Sequence, residues 1–147
     1  MGRFDKYTEF EVEGTMIMKY FGNGGEVVIP EGITDVFFEV FECNSRITSV
    51  VIPSTFTDTS LYTFANCTRL EDAILCEGVS EIGSFCFAHC NALKNILLPK
   101  SLTRINAGAF IDCAQLTIYY AGSKEEWERI EIEADISNVP VIFNSTL

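Results

Sequence analysis

From residue 27 onward, apolar positions along this chain recur at a fixed spacing of 23 residues. Four segments fall in register: VVIPEGITDVFFEVFECNSRITS (27–49), VVIPSTFTDTSLYTFANCTRLED (50–72), AILCEGVSEIGSFCFAHCNALKN (73–95) and ILLPKSLTRINAGAFIDCAQLTI (96–118). The columns Ile29–Ile52–Leu75–Leu98, Ile33–Phe56–Val79–Leu102, Phe41–Phe64–Phe87–Phe110 and Ile47–Leu70–Leu93–Leu116 are apolar in every copy, and Pro30, Pro53, Cys76 and Pro99 make a fifth. A unit this short cannot bury its own apolar face. Stacked units bury it against each other, so the pattern predicts a solenoid held by nearest-neighbour contacts. Each unit opens on a β-branched run such as VVIP, which reads as one strand of a parallel ladder. The Pro ends that strand, because it cannot donate to the ladder. A second extended piece follows at ITDV, FTDT, VSEI and LTRI, and a return segment of turn or single-turn helix closes the unit.

Both ends of a solenoid need a cap. Residues 1–26 are assigned to the N-terminal one: FEVEGTMIMKYFGNGGEV alternates, has a turn at Glu13-Gly14, and predicts a β-hairpin. Residues 27–118 form the four repeats and 119–147 the C-terminal cap, all within a single domain, 1–147. In that last segment Ser123 and Glu126 have capping-box spacing and predict a short helix, with Trp127 and Ile130 on one face over the last rung. A closing strand is expected at Val139–Phe143.

Period-two alternation places Val27, Val50, Ala73 and Ile96 inward, so Val28, Val51, Ile74 and Leu97 point outward. With rungs about 4.8 Å apart they form an apolar stripe about 15 Å long. Glu26, Ser49, Asp72 and Asn95 flank it. An apolar patch with a polar rim marks an interaction surface; β-propensity alone, or cover by a second copy in a homodimer, are the competing readings. On the second strand, Thr34, Thr57, Ser80 and Thr103 make a hydroxyl column read as structural. Beside it stand Asp35, Asp58, Glu81 and Arg104, whose carboxylates suit a basic partner. Without carbonyl or amide ligands they make a poor calcium cage.

Charge narrows the function classes. Ten Lys and Arg stand against 21 Asp and Glu, a net charge of −11. That argues against binding a phosphate backbone or an anionic membrane surface. No apolar run is long enough to span a bilayer, and MGRFDKYTEF lacks the apolar stretch of a signal peptide. The chain as written is expected in the cytoplasm, or at the cell surface or secreted if it is a fragment of something longer. The six cysteines form no CxxC pair and are expected to be free thiols, with Cys67, Cys90 and Cys113 in one column and Cys43 one place before it beside Asn44, all four buried. His89 is the one histidine and shares a varied column with Cys43, Asn66 and Asp112, which reads as a solvated turn. No nucleophile–base set, metal-ligand cluster or phosphate loop is visible, so the expectation is a non-enzyme without cofactors.

The text xVxIPxxVTxIxxxAFxxCxxLxx, seen in AILCEGVSEIGSFCFAHCNAL and ILLPKSLTRINAGAFIDCAQL, resembles the BspA-like leucine-rich repeats of bacterial and some protozoan surface proteins. IYYAGSKEEWERI resembles the segment that closes such arrays, and GTMIMKYFGNGGEVVIPEGIT their opening. The first two repeats carry VFFEVF and TSLYTF in place of the usual IGxxAF core. The resemblance implies a β-rich α/β fold, a right-handed leucine-rich-repeat solenoid of about four rungs. It also implies a surface for adhesion or protein recognition. The function expected is a protein-binding module acting through its sheet face, whether adhesin-like or intracellular. A small acidic inhibitor of a nucleic-acid enzyme and a self-assembling scaffold are the alternatives.

Overall fold

The β-branched run of each repeat forms a strand in the computed structural model, which describes residues 9–146. Strands β1 (Phe10–Glu13) and β2 (Met16–Tyr20) make an antiparallel hairpin, and β2 pairs in parallel with the two-residue β4 (Asp35–Val36). The main sheet is wholly parallel and has six strands. In spatial order these are β3 (Gly25–Val28), β5 (Ile47–Ile52), β6 (Asp72–Leu75), β8 (Asn95–Leu98), β10 (Thr117–Tyr120) and β12 (Val141–Ile142). A third, narrow sheet joins β7 (Glu81–Ile82), β9 (Arg104–Ile105) and β11 (Glu131–Ile132). The molecule is a β-solenoid of about six turns.

The 23-residue spacing predicts four rungs, and the sheet extends two strands beyond them. The step from Ile96 to its partner Ile118 is 22 residues, one short of the repeat, and the next step, to Val141, returns to 23. That single-residue deletion breaks the phase of the sequence while leaving the ladder intact. Between the two added strands lies helix α1 (Lys124–Trp127). Ser123 caps it: its Oγ accepts the Glu126 N–H at 3.1 Å, and the Glu126 carboxylate accepts the Ser123 N–H at 3.0 Å. Trp127 packs edge-on against Tyr120, and Ile130 is buried in the core.

Stacked phenylalanines form the spine of the core. Ring centroids step 5.4 Å from Phe41 to Phe64, 5.6 Å to Phe87 and 5.8 Å to Phe110, with planes within 18° of parallel. Tyr20 and Phe10 of the hairpin cover the Phe41 end. Offset stacking of this kind adds about 0.5–1.5 kcal/mol per pair beyond area burial.

A thiol ladder runs beside the rings. Cys67 donates its S–H to the Phe41 carbonyl at 3.2 Å, Cys90 to Phe64 at 3.1 Å and Cys113 to Phe87 at 3.1 Å, so each thiol ties its rung to the previous one. Burial pushes the Cys67 and Cys113 thiols up to about 12. All six cysteines are unpaired with one another. Cys43 departs from the expectation of burial and is exposed. It occupies the left-handed turn position of its rung (φ 64°), like Asn66, His89 and Asp112 in theirs. Asn44 takes the place of the thiol in that rung, and its Oδ1 accepts the N–H groups of Arg46 and Ile47.

Beyond the prolines the rungs are clamped in pairs. The Glu31 carboxylate accepts the Ser54 N–H and Oγ–H, and Glu77 does the same one pair later for the N–H groups of Lys100 and Ser101. Thr55 and Ser101 each accept an N–H from the glycine one rung back, Gly32 and Gly78, and donate to the carbonyl that follows it. Thr59 is fully buried where neighbouring rungs have Val36, Ile82 and Ile105; its Oγ1 accepts the Gly83 N–H at 3.0 Å. A Cβ on Gly83 would lie 2.1 Å from the Ser60 carbonyl oxygen, so this contact requires glycine.

Candidate functional site

The outward positions of the main sheet form one continuous column. Val28 pairs with Val51, Val51 with Ile74, Ile74 with Leu97, Leu97 with Tyr119, and Tyr119 with Ile142. Their inward neighbours Val27, Val50, Ala73, Ile96 and Ile118 are at most 2% exposed, whereas Val28 is 51% and Ile142 47% exposed. Val51, Ile74, Leu97 and Tyr119 are half-buried by each other. The alternation therefore separates the two faces as the residue pattern requires. Five steps of the ladder make the column about 24 Å long.

Polar residues run along one side of this column in the same register: Glu26, Ser49, Asp72, Asn95 and Thr117. The Asn95 amide donates to the Asp72 carboxylate at 2.8 Å, which orders part of the rim. Between rim and column lies a shallow groove of about 550 Å³, which Thr146 also lines. Tyr119 and Ile142 are the two members that the 23-residue phase does not reach. The signal for them is the alternation within TIYY and VIFN, which becomes usable once the 22-residue step is known.

The second candidate column is divided by the fold. Asp35 sits in β4 beside Met16 of the hairpin, and its carboxylate accepts the neighbouring Val36 N–H. Asp58 bridges to Glu81, which pairs onward with Arg104 and then Glu131. Arg104 reaches Glu131 at 2.5 Å and Glu81 at 3.8 Å and also pairs with Glu133; desolvation, the largest single effect, lowers the pKa of the guanidinium, but the charges and hydrogen bonds of Glu131 and Glu133 together raise it above its ordinary value. A continuous acidic strip is thus interrupted by a neutralising cation at its centre. The hydroxyl column beside it turns inward to the backbone: Ser80 donates to the Thr57 carbonyl and Thr103 to the Ser80 carbonyl. Thr34 exchanges a hydrogen bond with Thr15 of the hairpin turn.

His89 and Asp112 meet at 2.6 Å on adjacent left-handed turns, with both side chains about half exposed. A polar contact this exposed contributes little to stability. Among the described residues, no group of three or more His, Cys, Asp or Glu is placed to hold a metal ion, and no helix is long and apolar enough to cross a membrane.

Comparison with known proteins agrees with this geometry. Residues 19–123 match the model of the BspA type leucine rich repeat region, in six copies. No curated protein sequence matches the chain. The crystal structure of a leucine rich cell surface protein from Faecalibacterium prausnitzii is similar over 80% of this chain, with a TM-score of 0.70 and 26% identity. That match covers 32% of the other protein, so the chain spans about a third of its length. A leucine rich repeat protein of T. pallidum shares the fold over 92% of this chain and 83% of its own, with a TM-score of 0.50 and 20% identity. The 23-residue columns, the stacked rungs and the match over most of its length together show that this chain belongs to the BspA type leucine rich repeat family.

Proposed function

We propose that this chain is a non-enzymatic protein-binding module that recognises its partner through the outward face of the six-stranded sheet. One observation carries the reading: the unbroken apolar column from Val28 to Ile142, whose middle members Val51, Ile74, Leu97 and Tyr119 line a groove with a polar rim. β-Propensity alone would be met by Thr at these outward positions, as it is in the hydroxyl column of the second strand. Large apolar residues at every rung instead offer a desolvated strip, and the rim supplies the polar contacts of an interface. The cell-surface neighbour supports a recognition role of the adhesin kind at the level of family likeness. The alternative of an acidic inhibitor has less support, because Arg104 sits within the carboxylate column and pairs with two of its acids, Glu81 and Glu131, as well as with Glu133.

The test is differential capture. Proteins retained from the source cell by the wild type should be lost with a Val51→Lys/Ile74→Lys variant that melts like the wild type. Capture that is indifferent to this pair of changes would overturn the sheet-face reading.

A further inference from the structure

The return segments differ in bulk from one end of the solenoid to the other. In register they read Phe37-Phe38-Glu39-Val40, Ser60-Leu61-Tyr62-Thr63, Gly83-Ser84-Phe85-Cys86 and Asn106-Ala107-Gly108-Ala109. The fourth rung completes this turn with small residues, so the fold itself does not require large ones. In the first two rungs the large residues face solvent: Phe38 is 71% exposed, Leu61 58%, Tyr62 42% and Phe37 40%. Phe37 and Phe38 stack on each other at 4.3 Å, and Tyr62 stacks on Phe85 at 5.2 Å. Phe85 in turn occupies the space a Cβ on Gly108 would need. Tyr62 and Phe85 hold these positions at φ 60° and 57°, where glycine is the unstrained residue. Contiguous exposed apolar surface of this kind marks an interaction site.

Phe37, Phe38, Leu61 and Tyr62 line a depression of about 610 Å³ next to the hairpin, and Asp35, Glu39 and Glu42 line it too, with no Lys or Arg among its walls. Among the described residues none of the three carboxylates is ion-paired. We propose that this depression is a second docking surface, separate from the sheet face, for a segment of another protein that carries bulky apolar side chains bracketed by Lys or Arg. Charge selects this occupant. A second copy of the chain would bring its own three carboxylates and a net charge of −11 against the same acids. A basic apolar segment matches both the aromatic floor and the acidic walls.

The probe is a fluorescein-labelled synthetic peptide alternating Leu and Lys, read by anisotropy. Saturable binding is expected, weakened about tenfold or more by Phe38→Ser/Leu61→Ser in a protein that melts like the wild type. Glu39→Gln/Glu42→Gln should weaken binding severalfold and flatten its salt dependence, whereas Glu125→Gln/Glu128→Gln on the helix side should leave it unchanged. The proposal fails if the peptide does not saturate, or if it binds the Phe38→Ser/Leu61→Ser protein as well as the wild type, since general acidity then explains the attraction. It also fails if that variant unfolds while Phe38→Met/Leu61→Met is stable and binds no less tightly than the wild type without salt sensitivity. Sedimentation of a dimer that dissociates on Phe38→Ser/Leu61→Ser would assign the surface to a second copy. Binding tightened tenfold by Phe4→Ser/Tyr7→Ser would assign it to the chain's own first residues.

Discussion

A thiol in the column of Cys67, Cys90 and Cys113 fills a small volume and donates one hydrogen bond to the rung before it. Both roles need the neutral S–H, and burial holds it neutral: Cys67, Cys86 and Cys113 are pushed up to about 12 and Cys90 also rises. Thiolate is the reactive form, so a maleimide or disulfide reagent should label exposed Cys43 quickly in the native protein, half-buried Cys76 more slowly, and the other four only after denaturant is added. Rapid native labelling of all six would contradict the ladder. The same shifts fix the pH dependence. Thiols whose ordinary value is 9.0 ionise first in the unfolded chain, so their stabilisation is complete below pH 9 and is lost as pH rises from 9 towards 12. Each buried thiol steepens the loss by about 1.4 kcal/mol per pH unit in that window. Melts should be insensitive to these thiols below pH 9 and fall above it, and a Cys67→Ala/Cys90→Ala variant should show a shallower alkaline fall. The column was legible in the sequence for three of its members. Cys43 lies one place earlier, in the column of Asn66, His89 and Asp112, so the 23-residue register points to the exposed left-handed turn it occupies, while residue type alone points to burial.

At the scale of the strand, one position separates core from surface. Ile52 and Leu75 are buried and Val51 and Ile74 are the outward residues beside them. Ile52→Lys places an unpaired charge in the core and should cost about 3–5 kcal/mol, enough to lower the melting temperature by many degrees or abolish folding. Val51→Lys keeps its ammonium in water and should cost no more than about 1 kcal/mol, the span of β-propensity. Equal destabilisation by the two changes would reverse the assignment of faces. The alternation behind this contrast could be read from VVIP, VVIP, AILC and ILLP alone. The rung count could not, because the 22-residue step to Ile118 shifts every later column by one and disguises Tyr119 and Ile142 as a terminal cap. The Glu31 and Glu77 clamps escaped for a different reason: they alternate between rungs, so their columns mix Glu with Ser and Lys and show no single residue type.

For the molecule as a whole, stacking turns a repeated sequence into two unlike surfaces. The sheet face is uniform from end to end, because each rung contributes one apolar residue to it. The turn face is graded, aromatic over the first two rungs and small over the fourth, so it offers a localised depression. The uniform face is the central functional claim, and selective methyl labelling of Val, Leu and Ile tests it directly. Titrated with a partner captured through the sheet, the methyl resonances of Val28, Val51, Ile74, Leu97 and Ile142 should shift or broaden together, while those of Ile52, Leu75, Leu98 and Leu61 hold still. Perturbations centred on Leu61, or none in the outward column at saturation, would contradict the claim.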